Sequence, residues 1–404
     1  MFGFVKKLGP GILFAGAAIG VSHLVQSTRA GADFGIGLIW ALLLVNLFKF
    51  PFFQYGPRYA NATGESLLEG YKKLGKNILR FYILISFATM FTIQTAVTIV
   101  TAGIASSLTN NIISVEVWTI IILSLSGILL YFGKYKMLDR MIKIVILILA
   151  ISTVFATILA FNNFTYEIDY SQVLPKNNSE IIFLIAFMGW MPAPLDISVW
   201  HSLWTIEKKK SDGRQKMKTT LFDFNIGYLG TIILGVSFML LGYFVMNNNN
   251  LSFSNSASVF ANQLIEMYTL NFGSWAYLII GLATFTTMFS TTITTLDASP
   301  RSMHKATQLV FNKEFKNGYL FWLILLIVGT IFIFFNFISE MGALVKIATI
   351  VSFITAPFYA IINYILISSS HTPKKYRPSK IMHLLSILGV IFLIGFGVWY
   401  LSIL

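Results

Sequence analysis

The stretch GWMPAPLDISVWHS, residues 189–202, sets two prolines, an aspartate and a histidine inside a long apolar run. Pro192 and Pro194 lack amide hydrogens, so the carbonyls four residues back, on Met188 and Trp190, lose their helical partners. In hydrocarbon such carbonyls persist only where protein, water or a ligand satisfies them. A second stretch, GPGILFAGAAIGVSHLVQSTRAGADFG from residue 9, places helix-weak Gly20 and polar Ser22 and His23 midway along another apolar run. These residue types could do three kinds of chemistry. The nitrogen of His23 and the thioether of Met191 suit a softer transition metal, which makes them candidate metal ligands. Asp196, just beyond the break, is the one carboxylate placed to meet a hard dication. Free amides around Gly20 and Ser22 could instead receive an anionic or zwitterionic solute, as the amino ends of half-helices do.

Such residues need elements to hold them, and the composition says which. Of 404 residues 56% are hydrophobic and 11% charged, with a mean hydropathy of +0.74; this is an integral membrane protein rather than a water-soluble domain. Apolar runs long enough to span about 30 Å of hydrocarbon fall near 10–30, 35–55, 80–106, 112–132, 138–161, 180–204, 220–246, 272–297, 317–337, 341–368 and 381–403, which predicts eleven helices.

The formal charge of +13 is concentrated in alternate loops: Lys72, Lys73, Lys76 and Arg80; Lys134, Lys136, Arg140 and Lys143; Lys208 to Lys210 with Arg214, Lys216 and Lys218; Lys305, Lys313 and Lys316; Lys374, Lys375, Arg377 and Lys380. Apart from Arg29 and Lys176 the opposite loops carry almost nothing basic. By the positive-inside rule the amino terminus is expected in the cytoplasm and the carboxyl terminus outside, in a multi-pass protein of the bacterial inner membrane. The charge is thus a topology signal, and no nucleic-acid partner is implied. The first run lacks a cleavage site and is read as a retained span. Zero cysteines exclude disulfides and thiolate metal sites. No phosphate-binding Gly-Lys-Ser/Thr loop, zinc-protease box or catalytic trio is present, so neither an enzyme nor a cofactor is expected. The expected partners are the lipid bilayer and a small ion or solute; the oligomeric state stays open, a monomer included.

The two interrupted spans lie five apart, so the first enters the membrane from the cytoplasm and the sixth from outside. That is the relation of inverted repeats packed around a central site. A single transporter domain over 1–404 is expected, with repeat one about 8–161, repeat two about 180–368 and an additional helix at 381–403.

Specific residues carry a resemblance. The opening GPGILFAGAAIG, the turn around Gly31, Phe34 and Gly35, the run WALLLVNL, ATGESLLEG at 62–70, WMPAPLD in the sixth span and STTITTLDA in the eighth together resemble the Nramp family of divalent-metal transporters. The resemblance implies an all-α, LeuT-like 5+5 inverted-repeat fold with broken helices 1 and 6, in which a bundle holding those helices moves against helices 3, 4, 8 and 9. It also implies a metal ligand at Met191 and a carbonyl ligand at Met188. Departures accompany it. Where the family has Asp-Pro-Gly-Asn, whose Asp and Asn ligate the metal, this chain reads Gly20-Val21-Ser22-His23, and the histidine after Met-Pro is Ala193. The third span has no acid for proton acceptance and the ninth no basic partner for that route.

The expected function is therefore an atypical secondary carrier whose family substrate class is a divalent metal ion, without proton coupling. The alternative is a carrier of a small neutral or anionic, amino-acid-like solute, and a non-transporting sensor ranks third. Expected substrate-binding positions are Gly20, Ser22, His23, Met188, Met191 and Asp196. Lys346, well inside the tenth span, Thr292 and Asp297 are gating or coupling candidates, with Asp297 and Arg301 also placed to form an ion pair. Lys49 is expected to snorkel to the cytoplasmic face, and His201 to lie near the membrane interface.

Overall fold

The computed structural model describes residues 9–133, 135–213, 216–247, 252–336 and 340–402, with side chains described outside 135–146 and 212. Lys134 and Arg214, and the side chains of Lys136, Arg140 and Lys143, fall outside the described residues. Among those residues the chain is helical throughout its ordered elements, and every expected span is met by a helix or a helix pair.

The first span is Pro10–Ala18 and Ser22–Phe34, joined at a 46° bend. Ile19 leaves the helix at φ −77°, ψ 80°, and Ser22–Ser27 resume in wider π turns before Thr28–Phe34 closes the element. Gly35, at φ +59°, makes the turn out of the span, a conformation that suits glycine. Spans two to five are Ile39–Thr63, Lys76–Leu108, Val115–Tyr131 and Tyr135–Asn162. The sixth is Asn178–Trp190 and Ile197–Asp212, separated by the proline-bearing gap. Spans seven to eleven are Met217–Val245, Ala276–Phe311, Gly318–Asn336, Met341–Ser368 and Lys380–Leu401. The eighth runs well past the expected end at 297, and a helix that was not expected, Ala257–Phe272, lies between spans seven and eight.

Spans two, three, seven and eight bury 61% of their most apolar stretch against 22% for the ninth and eleventh, so the latter two face lipid at the periphery. The first span is threaded into the centre against the seventh. There the backbones nearly touch: a Cβ on Gly31 would lie 1.8 Å from the Met239 carbonyl oxygen, and one on Gly242 2.2 Å from that of Thr28. Without a hydrophobic force between helices in lipid, close approach through small residues supplies the packing. The Asp223 carboxylate of the seventh span accepts from the amides of Gly9 and Gly11 at 2.9 and 2.8 Å, satisfying donors that the start of the first span leaves open.

Candidate functional site

The two breaks face each other. The Ser22 hydroxyl lies 2.7 Å from the Ala18 carbonyl oxygen and 3.2 Å from that of Pro192, so it stands between the end of the first half-helix and the gap of the sixth span. Around this contact is a cavity of about 20 Å³, bounded by Val21 and Ser22, by Trp190 and Pro194, by Val97 of the third span and by Thr291 of the eighth. That is room for about one water molecule. No charged side chain lines it.

A larger vestibule of about 350 Å³ opens at the end of the bundle away from the Lys208–Lys210 loop, lined by Val25, Gln26, Arg29, Ala186, Glu340 and Lys346 among others. Val25 is four residues beyond Val21, and Ala186 four before Trp190, so vestibule and cavity lie about one helical turn apart along the same two spans. Arg29 is held by the Ser254 carbonyl and the Asn255 side chain at 2.5 and 3.2 Å.

The third and eighth spans form a polar seam beside the cavity. Thr295 donates to the Gln94 carboxamide oxygen at 2.7 Å, Gln94 donates to the Thr292 carbonyl at 3.3 Å, and the Thr101 and Thr292 hydroxyls meet at 2.7 Å. Thr291 reaches the first span through the Gly16 carbonyl at 3.3 Å. These bonds hold spans three and eight as one wall.

The structure brings His23 and Met191 together, on the seventh-span side of the breaks. A Cβ on Gly235 would lie 3.5 Å from Met191 Sδ and 3.8 Å from the His23 ring. Both residues are fully buried. His23 Nε2 lies 2.9 Å from the Thr231 carbonyl, and Nδ1 lies 3.0 Å from the Ala18 carbonyl and 2.7 Å from the Ser22 hydroxyl. Both ring nitrogens are therefore engaged by protein, and the histidine braces the break from behind. Ser27 Oγ is 3.9 Å from Met191 Sδ. Gly20 faces the eighth span: a Cβ there would meet the Thr291 side chain at 3.0 Å.

Asp196 stands at the start of the second half of the sixth span, buried, with Oδ1 lacking a hydrogen-bond partner among the described residues. Among those residues no three His, Asp or Glu side chains gather. Thr292 is buried in the seam rather than on the cavity wall. Asp297 binds Arg301 through both oxygens, at 2.6 and 3.2 Å, and accepts from the Tyr319 hydroxyl at 2.7 Å; this is the ion pair its spacing suggested. Lys346 is exposed in the vestibule, not set as a fixed ammonium inside the helix bundle.

Two expectations are corrected. His201 is buried, its ring stacked 5.6 Å from that of Phe14, because the second half of the sixth span packs against the first span rather than lying at the interface. Lys49 does not snorkel. It is fully buried, and its Nζ donates to the carbonyl oxygens of Met188 at 2.8 Å and Gly189 at 2.7 Å, with that of Ala193 at 3.5 Å. The second span packs against both halves of the sixth, which turns this side chain toward the proline gap instead of the membrane surface. The carbonyl that Pro192 strips of its helical partner, on Met188, is thus satisfied by lysine. Lys49 and Gln94 lie beside the breaks, in places that composition and motif did not indicate; for Lys49 the available signal was a lysine three residues after Asn46 and two before Pro51.

Broken first and sixth spans packed against the third and eighth define a multi-span membrane transporter of the LeuT-like class. The chain belongs to the Nramp family, Natural resistance-associated macrophage protein-like, whose model matches residues 11–402. It is 34% identical over 402 residues to an uncharacterized protein of Pasteurella multocida (strain Pm70), covering 98% of this chain and 92% of that one. Its fold is similar to that of a manganese transporter of Eremococcus coleocola in a mutant form, with a TM-score of 0.72 and 12% identity over 96% of this chain and 84% of that one. It is also similar to Mhp1, a nucleobase-cation-symport-1 family transporter in a closed conformation with bromovinylhydantoin bound, with a TM-score of 0.56 and 13% identity over 98% and 93% of the two chains.

Proposed function

We propose that this chain is a secondary carrier working by alternating access, with its cargo held where the breaks of the first and sixth spans meet. The observation that carries the reading is the Ser22 to Pro192 contact at 3.2 Å beside a cavity walled by spans three and eight. Cargo cannot enter a space of about 20 Å³ unless the walls move. The vestibule one turn away supplies the approach from one face. The first five and the next five spans act as inverted repeats, spans one and six shift against the wall of three and eight, and the lysine-rich loops face the cytoplasm.

The geometry favours a small neutral or anionic organic solute as cargo. The cavity offers aromatic and aliphatic walls and hydroxyls, and the Met188 carbonyl is taken by a buried lysine. A hard dication meets no carboxylate there. The second reading, a divalent metal ion, is favoured by family membership, by likeness to a manganese transporter and by the adjacency of His23 and Met191. Neither reading includes proton coupling through the third span, which presents Gln94 and threonines where a relay needs titratable groups.

Calorimetry with Mn²⁺ on purified protein, paired with uptake of Mn²⁺ and of labelled amino acids into proteoliposomes, separates the two. The organic-solute reading expects no saturable Mn²⁺ binding. Saturable binding that is lost in both His23→Ala and Met191→Ala overturns it in favour of metal, and absence of uptake with any solute counts against the carrier.

A further inference from the structure

We propose that the Lys49 side chain is a tethered cation that fills the carbonyl cage at the gap of the sixth span, so that the carrier needs no free inorganic cation there. Three carbonyl oxygens, of Met188, Gly189 and Ala193, converge on Nζ at 2.8, 2.7 and 3.5 Å. Three acceptors match the three donors of an ammonium. No carboxylate forms an ion pair with Lys49 among the described residues, and its hydrogen-bond partners there are backbone carbonyls. Converging carbonyls at the carboxyl end of a half-helix are the groups that hold a small cation in discontinuous membrane helices. Here the cation is part of the chain.

The arrangement also explains the choice of lysine at a fully buried position. An ammonium without an acidic partner is costly in hydrocarbon unless every donor is met. The unpaired carbonyls of the proline gap carry the complementary cost. Each cancels the other, and the product is a gap that keeps its shape whatever cation surrounds the protein. The second span, the end of the first half of the sixth and the proline gap are thereby pinned through a single Nζ.

This inference rests on the carrier reading for its functional meaning, while its first test does not. Thermal unfolding in detergent is followed for the wild type, Lys49→Ala and Lys49→Met in Na⁺, K⁺, methylammonium and N-methylglucamine at constant ionic strength. The wild type is expected to unfold at one midpoint in all four. Lys49→Ala, which leaves the carbonyls facing a space, is expected to unfold earlier and to recover in a saturable way with methylammonium or a small alkali cation, as binding to the folded form requires. Lys49→Met refills the volume without charge and is expected to stay destabilised with no recovery.

A saturable rise of the wild-type midpoint with Na⁺ or K⁺ overturns the proposal, as does Lys49→Ala without recovery in any cation or Lys49→Met as stable as the wild type. Should Lys49→Ala not be purifiable, the wild type and Lys49→Met series decide by the same criteria. Uptake by the wild type then extends the result to transport: equal rates after exchange of Na⁺ and K⁺ for N-methylglucamine support it, and loss of uptake on that exchange overturns it. Failure of uptake under every condition would instead fall on the carrier reading.

Discussion

The Ser22 hydroxyl lies 3.2 Å from the carbonyl oxygen of Pro192, 170 residues away in the chain, and 2.7 Å from that of Ala18. One small side chain thus touches both interruptions. Replacing it with alanine removes a buried hydrogen bond and frees a carbonyl, at a cost of about 1 kcal/mol. Ser22→Ala is expected to lower the unfolding midpoint in detergent and to weaken solute binding, whereas an unchanged midpoint would remove this contact from the account.

The crossing of spans one and seven depends on missing Cβ atoms. Gly31→Ala and Gly242→Ala would place a methyl 1.8 and 2.2 Å from backbone oxygens. Overpacking of this kind costs typically ~1–3 kcal/mol, and backbone cannot yield as a side chain would. Gly395→Ala, which meets nothing within 4 Å, serves as the control. Circular dichroism melts should rank the first two well below the control, and equal melts would contradict the packing.

Outside the spans, Glu69 caps the helix Leu67–Leu74: it accepts from the Ser66 amide at 2.9 Å and binds Lys305 of the eighth span at 2.7 Å. Burial alone would raise its pKa, but the Lys305 ammonium and Ser66 bonds outweigh that and hold it below the ordinary carboxylate value of 4.5. A depressed carboxylate contributes stability above its unfolded pKa and loses it as pH falls through the folded value. Stability is therefore expected to drop on acidification below about pH 4.5, and Glu69→Gln should lack that part of the acid dependence. A Glu69→Gln curve superimposable on the wild type would refute the role.

Metal binding can be built in, in a predicted order. Gly20→Asp restores an anion where the family carries one, but its Cβ meets Thr291 at 3.0 Å, so it is paired with Thr291→Ala. While Lys49 holds the Met188 carbonyl, this double variant should gain little Mn²⁺ affinity. Adding Lys49→Ala, which leaves the Met188 carbonyl facing a space, should raise affinity by at least about tenfold, or ~1.4 kcal/mol. Equal titration curves for the double and triple variants would show that the lysine does not block the ligand.

Much of this architecture was legible from composition. Each of the eleven apolar runs met a helix or a helix pair, and among the described residues seven helices, eight with the bent first pair, are long and apolar enough to cross a bilayer. The breaks were legible because Pro192 and Pro194 have no amide hydrogen for the ladder and Gly20 favours a helix only weakly. Ala257–Phe272 was missed because it is a short helix of mixed polarity following an asparagine tract. The orientation of Lys49 was not legible. A lysine inside an apolar run can extend to the surface or turn inward, and only the packing of the second span against the sixth decides. The same holds for His23: its type suggested a ligand, while the carbonyls of Ala18 and Thr231 that engage it come from two different spans. The surroundings of Lys346 were not legible for a complementary reason, since its depth along the tenth span says nothing about the vestibule beside it.

The most direct measurement uses the absence of native cysteine. Val97→Cys places a single thiol on the cavity wall, and Ile391→Cys places one on the exposed face of the eleventh span. Reconstituted vesicles are treated with a membrane-impermeant thiol reagent added from outside or trapped within. Alternating access through the two breaks predicts that the Val97→Cys thiol reacts from either side, and that its modification stops uptake, while Ile391→Cys leaves uptake intact. A Val97→Cys variant that transports while resisting the reagent from both sides would contradict the account.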